Sequence, residues 1–79
     1  PDAALEQDER AQVFWSGFKR LSARDREILT LRHFEELSYA QIARALEIPE
    51  GTVMSRLFHA RARLRAALEG KLAPEGDRP

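Results

Sequence analysis

The 79-residue chain contains no cysteine, which excludes disulfide frameworks, thiol catalysis and cysteine-ligated zinc. No apolar run approaches the ~18 residues that a membrane-spanning helix needs, and no basic-then-apolar signal segment opens the chain. Val, Ile and Thr together number only seven, and neither an alternating run nor an Asn-Gly turn marks a hairpin. The sequence lacks a glycine-rich phosphate loop, a nucleophile beside a base, and a cluster of metal-ligand spacing. No enzyme activity, cofactor or metal is therefore expected. Net charge is zero, 13 basic against 13 acidic side chains, and so says nothing by itself about partners. The first residue is Pro1 rather than Met, as expected of a fragment or processed piece of a longer protein.

What is present suits one small soluble, intracellular domain: 33% charged and 43% hydrophobic residues. Twelve of the hydrophobics are alanine, so the core is thin. Helical periodicity predicts an all-α fold of four helices with a C-terminal helix-turn-helix. The first helix runs from about Ala3 to Phe18 with Asp2 as its cap; Val13, Phe14, Gly17, Phe18 and Leu21 recur at helical spacing. The second opens on a Ser22–Asp25 capping box and runs to about Glu36. The third is capped by Ser38, boxed by Gln41 and stapled by Leu37 on Ile42; it ends near Glu47. Pro49 suits the first turn of the fourth, which spans about Glu50 to Leu68 and stops at Gly70. Three parts follow: a first helix and connection over 1–20, the helix-turn-helix domain over 21–70, and a flexible tail over 71–79.

Charge is not evenly spread. Residues 1–50 carry 7 basic and 10 acidic side chains, whereas residues 51–72 carry Arg56, Arg61, Arg63, Arg65 and Lys71 against Glu69 alone. A helix this basic is the footprint of a phosphate-binding element or, more plainly, a solvated face. At 100° per residue, Val53, Leu57, Ala60, Leu64 and Leu68 form one stripe that must face the core. Opposite lie Ser55, Phe58, His59 and Ala62, flanked by Arg56 and Arg63 on one side and by Met54, Arg61 and Arg65 on the other. A phenylalanine pointing away from the core, beside a hydroxyl and an imidazole, needs a partner. The arrangement suits a major groove, with apolar and polar contacts to base edges and arginines on phosphates at both rims.

These residues also carry a likeness. The stretch Leu21-Ser22-Ala23-Arg24-Asp25-Arg26-Glu27-Ile28-Leu29, then Leu37-Ser38-Tyr39-Ala40-Gln41-Ile42-Ala43, then Ile48 to Leu57 with Ala60-Arg61, resembles region 4 of bacterial sigma factors. The extracytoplasmic-function group is the nearest in pattern. The resemblance implies that the third and fourth helices read the promoter −35 element. It implies that the second helix and its surroundings meet the β-subunit flap of RNA polymerase core, so that transcription initiation is directed there, and that an anti-sigma factor covers the same surfaces. By position, Thr52, Met54, Ser55, Phe58 and His59 fall where that family touches bases or neighbouring phosphates. Arg24, Tyr39, Arg56 and Arg61 fall where it holds the DNA backbone. It further implies a cytoplasmic monomer without membrane insertion. Two departures stand out. Glu47 occupies the turn position where glycine is common, so its backbone is either right-handed or strained. Met54 and His59 stand where related sequences commonly carry Lys or Arg.

Other features carry plainer readings. Phe14 and Trp15 suit core or interface packing, His33 has no second ligand four residues on, and the acid pairs Asp8-Glu9 and Glu35-Glu36 suit solvated surface. Two other classes stay open on the residues alone: the DNA-binding output domain of a LuxR-type response regulator, and a protein-interaction bundle whose arginines meet an acidic partner.

Overall fold

Serine hydroxyls that take up orphan backbone amides set where two of the helices begin. The computed structural model describes residues 2–70, with side chains from Asp8 onward. Helix α1 spans Asp2–Lys19, α2 spans Ala23–Leu29 and continues into a π-helical turn over Thr30–Phe34, α3 spans Tyr39–Leu46 and α4 spans Glu50–Leu68. The fold is all-α, with no strand among the described residues. Asp2 is the first helical residue of α1 rather than its cap. The expected flexible tail, 71–79, lies outside the described residues.

The Ser38 hydroxyl accepts from the Gln41 amide at 3.1 Å, and the Gln41 side chain accepts from the Ser38 amide at 2.8 Å, so the predicted box on α3 is complete. On α2 only half of the box forms. The Ser22 hydroxyl accepts from the Asp25 amide at 3.2 Å, while the Asp25 carboxylate turns instead to Arg63 on α4.

The second helix does not run on as an α-helix to Glu36. The Thr30 hydroxyl donates to the Arg26 carbonyl at 2.7 Å, competing for the ladder from inside. The next turn widens, and the Glu35 amide donates to the Thr30 carbonyl, five residues back, at 3.0 Å. Glu36 then takes a left-handed backbone, φ 57°, and the chain turns toward α3.

Glu47 settles the alternative posed by its turn position: its backbone is left-handed, φ 55° and ψ 48°. Ile48 donates to the Ala43 carbonyl at 3.0 Å and Glu47 to the Arg44 carbonyl at 3.3 Å, the paired bonds of a Schellman ending. Glycine is the usual occupant there because a Cβ is crowded in this conformation.

Helix α4 packs against α1, α2 and α3. Its buried side chains are Val53, Leu57, Ala60 and Ala67, set against Phe18, Leu21, Ile28, Leu29 and Ile42. The stripe therefore ends on Ala67 and not on Leu68, which is exposed, while Leu64 is only partly buried. Gly17 explains the fit at that end: a Cβ there would lie 2.8 Å from Leu68 Cδ2, so the bare backbone lets α1 approach α4.

Replacing Glu47 by glycine removes the left-handed penalty but loosens the unfolded chain. Glu47→Gly is expected to raise unfolding free energy by about 0.5–1 kcal/mol. Urea unfolding reads this as a higher midpoint at unchanged slope. A lower midpoint would show that the Glu47 side chain contributes more than its backbone costs.

Candidate nucleic-acid interface

The buried stripe fixes the rotation of α4, and with it the face turned to solvent. Met54, Ser55, Phe58, His59 and Ala62 are all exposed, and Phe58 keeps 68% of its surface open. The Phe58 and His59 rings meet edge to face, with centroids 5.4 Å apart. Thr52, Arg56 and Arg61 are half-buried at the margins of this face, Thr52 in the first turn of α4. Seven of the nine sequence-predicted residues thus share one helix. The other two come from elsewhere: Tyr39 opens α3, half-buried, and Arg24 is exposed in the first turn of α2.

The rim of the face differs from expectation at one place. Arg63 Nη1 donates to both Asp25 carboxylate oxygens, at 3.0 and 3.1 Å, so it is tied to α2 rather than offered to a phosphate at the rim. The Asp25 side chain is only 7% exposed, against 49% for Arg63, so the pair joins a buried carboxylate to a partly solvated guanidinium. Nothing in helical periodicity pairs residues 38 apart, and Asp25 had a local use as a capping residue.

Two further contacts bear on the predicted residues, and both start from the π-helical turn. Arg32 donates to the Leu37 carbonyl at 3.1 Å, and its guanidinium carbon lies 5.3 Å from the centre of the Tyr39 ring. Arg61 Nε donates to His33 Nε2 at 3.4 Å. Desolvation holds the His33 imidazole below its ordinary pKa, and the Arg61 and Arg32 guanidiniums push it the same way. The sequence singled out His33 only to dismiss it as a metal ligand. Among the described residues no group of three or more His, Asp or Glu could hold a metal ion.

Phe14, Trp15, Phe18 and Phe34 form a four-ring cluster with centroids 5.0 to 6.3 Å apart, and three of them, Phe14, Phe18 and Phe34, line the same pocket as His33 and Arg61. Phe14 is half-buried, whereas Trp15 and Phe34 are 46% and 51% exposed, so the cluster joins the core to the surface. Among the described residues no helix is long and apolar enough to cross a membrane.

A short capped helix, a tight turn and a longer helix whose outward face is framed by arginines define a helix-turn-helix DNA-binding protein. Comparison with known proteins identifies which kind. Residues 13–64 match the family described as sigma-70, region 4. The RNA polymerase sigma-H factor of Pseudomonas aeruginosa is 41% identical over 69 residues, covering 87% of this chain and 36% of that protein. The RNA polymerase sigma-E factor of Streptomyces avermitilis is 37% identical over 75 residues, covering 90% and 42% respectively. The ECF RNA polymerase sigma-E factor of Escherichia coli is 34% identical over 74 residues, covering 94% and 37%. The chain belongs to the sigma-70 region 4 family, the −35 promoter-binding domain of extracytoplasmic-function sigma factors. It is a transcription-factor domain, not an enzyme, and spans about two-fifths of the length of these relatives. The match decides against the response-regulator and interaction-bundle alternatives.

Two outcomes follow from the pairings. Arg63→Ala strands the buried Asp25 carboxylate and is expected to cost about 1–3 kcal/mol of stability. The salt dependence of DNA binding should stay as it was, because Arg63 is committed to Asp25; a flatter slope would return Arg63 to the phosphates. For His33 the lowered folded pKa means that the unfolded chain binds more protons. Its contribution is complete above the ordinary value near ~6.5 and is lost as pH falls below it. Thermal melting from pH ~7.5 to ~5.5 should therefore decline less steeply in His33→Gln than in wild type, above the range where carboxylates titrate.

Proposed function

We propose that α4 lies in the major groove of the promoter −35 element and reads it through Thr52, Met54, Ser55, Phe58 and His59. Arg56 and Arg61 from α4, Tyr39 from α3 and Arg24 from α2 hold the DNA backbone. The observation that carries this reading is the exposed Phe58, set with Ser55 and His59 on the side of α4 opposite its buried stripe. An apolar ring there has no internal use, whereas a thymine methyl matches it. The reading unit is residues 21–70, with 1–20 as the connecting helix and 71–79 as a tail.

In the longer protein this domain works as part of a polymerase holoenzyme in the cytoplasm. The second helix and its surroundings dock on the β-subunit flap of RNA polymerase core, which directs transcription initiation to the promoter. An anti-sigma factor competes for the same surfaces. The exposed aromatic rings Trp15 and Phe34 support protein docking. The domain acts as a monomer, with double-stranded promoter DNA as its nucleic-acid partner. Pull-down of polymerase core, with and without the flap, tests the docking: retention by flapless core would sink it.

Binding by the isolated chain is expected to be weak. Arg24, Arg56 and Arg61 supply about three charged phosphate contacts, so log affinity should fall against log salt with a slope near about −2.7. Non-specific Kd should lie on the order of 10⁻⁴–10⁻⁶ M. Arg56→Ala should weaken binding to every duplex alike and flatten that slope by about one unit. Phe58→Ala should instead cut discrimination between promoter and random duplex by roughly 1–3 kcal/mol, with the melting temperature unchanged. His59→Arg should tighten binding and steepen the slope by about one unit. Fluorescence anisotropy over a salt series reads all three, and unfolding of Phe58→Ala would overturn the assignment of its face.

A further inference from the structure

Arg32 and His33 are consecutive residues on the π-helical turn, yet they reach two different helices. Arg32 lies over the Tyr39 ring at the start of α3, and His33 accepts from Arg61 in the second half of α4. The residues they touch are two of the four proposed to hold the DNA backbone. π-helical turns inserted into α-helices recur at functional sites, because the extra residue re-aims the side chains around it.

We propose that Arg32 and His33 are positioning residues, which orient the Tyr39 ring and the Arg61 guanidinium toward DNA phosphates. The inference rests on the reading of Tyr39 and Arg61 as backbone contacts. For Arg61 the chemistry is specific. Its Nε–H is used on His33, which leaves the N–H donors of both Nη groups in one plane, pre-aimed and free for phosphate oxygens. The imidazole must be neutral at Nε2 to accept. The charged groups around His33 are the Arg61 guanidinium from α4 and Arg32 of its own turn, and it shares a pocket with Phe14 and Phe18 from α1, Leu29 from α2, Phe34 and Leu64 from α4. Two cations and apolar carbon around the ring favour the neutral form. For Tyr39, the Arg32 guanidinium covers the ring while donating to the Leu37 carbonyl, which fixes the chain entering α3 as well as the ring. A long arginine held in one rotamer before DNA arrives loses less freedom on binding, and the same holds for the tyrosine.

The test is a pair of double-mutant cycles on the 79-residue chain, with random-sequence duplex DNA as the probe, since phosphate contacts are independent of sequence. Affinity is read by fluorescence anisotropy at low salt and folding by thermal melting. His33→Phe, which removes the acceptor and keeps a ring, should weaken binding roughly three- to tenfold in the wild-type background. It should have no further effect once Arg61→Ala is present. His33→Gln, whose side-chain oxygen can accept the same bond, should restore most of the loss, which a purely structural role would not require. In the second cycle, Arg32→Lys keeps the charge but not the planar stack. It should cost affinity beside Tyr39 and nothing beside Tyr39→Phe. Losses that add independently in both cycles would overturn the positioning role while leaving the contacts themselves intact. If Arg61→Ala and Tyr39→Phe themselves leave affinity unchanged, the backbone-contact reading fails, and the inference falls with it.

Discussion

A single stripe on α4 has to satisfy three other helices at once. Val53, Leu57, Ala60 and Ala67 are buried, and α1, α2 and α3 each pack against the helix that carries them. In a domain this small the burial of those side chains supplies a large share of the available hydrophobic stabilisation. It also sets the rotation of α4, so the orientation of its outward face is a by-product of core packing. Ala60 and Ala67 are fully or nearly fully buried, and Gly17 from the side of α1 lets Leu68 of α4 lie close against its backbone.

Around this core, polar interactions do a different job. The Asp25–Arg63 pair joins the start of α2 to the middle of α4, and it draws one arginine out of the basic helix. Positive charge on α4 is therefore divided between a structural use and an outward one. The division limits how much non-specific electrostatic attraction the domain can offer DNA.

Much of this was legible in the sequence, for physical reasons that differ from one element to another. The Ser38–Gln41 box is a local pattern three residues apart, and the structure forms both of its bonds. Phe58 was placed outside the core by helical phase alone, and it is exposed. The failures cluster where local and distant demands compete. Asp25 could serve the Ser22 box or a partner 38 residues away, and only the folded chain chooses Arg63. Thr30 reads as an ordinary helical residue until its hydroxyl takes the Arg26 carbonyl and widens the next turn. Leu68 had the right phase for the core, but its side chain lies exposed against Gly17 of α1, and Ala67 is the buried residue at that end. The contacts of Arg32 and His33 lie on that widened turn and left no trace in the periodicity.

The outward face of α4 is separate from what holds the domain together: Met54, Ser55, Phe58 and His59 are exposed, and none belongs to the core cluster. Substitutions at these positions change the outward surface without opening a cavity or stranding a buried charge. Sequence drift there is thus freed from the stability threshold that constrains Leu57 or Asp25. A domain built in this way can change its outward surface through single, structurally silent steps, while its inner surface stays bound to the demands of packing.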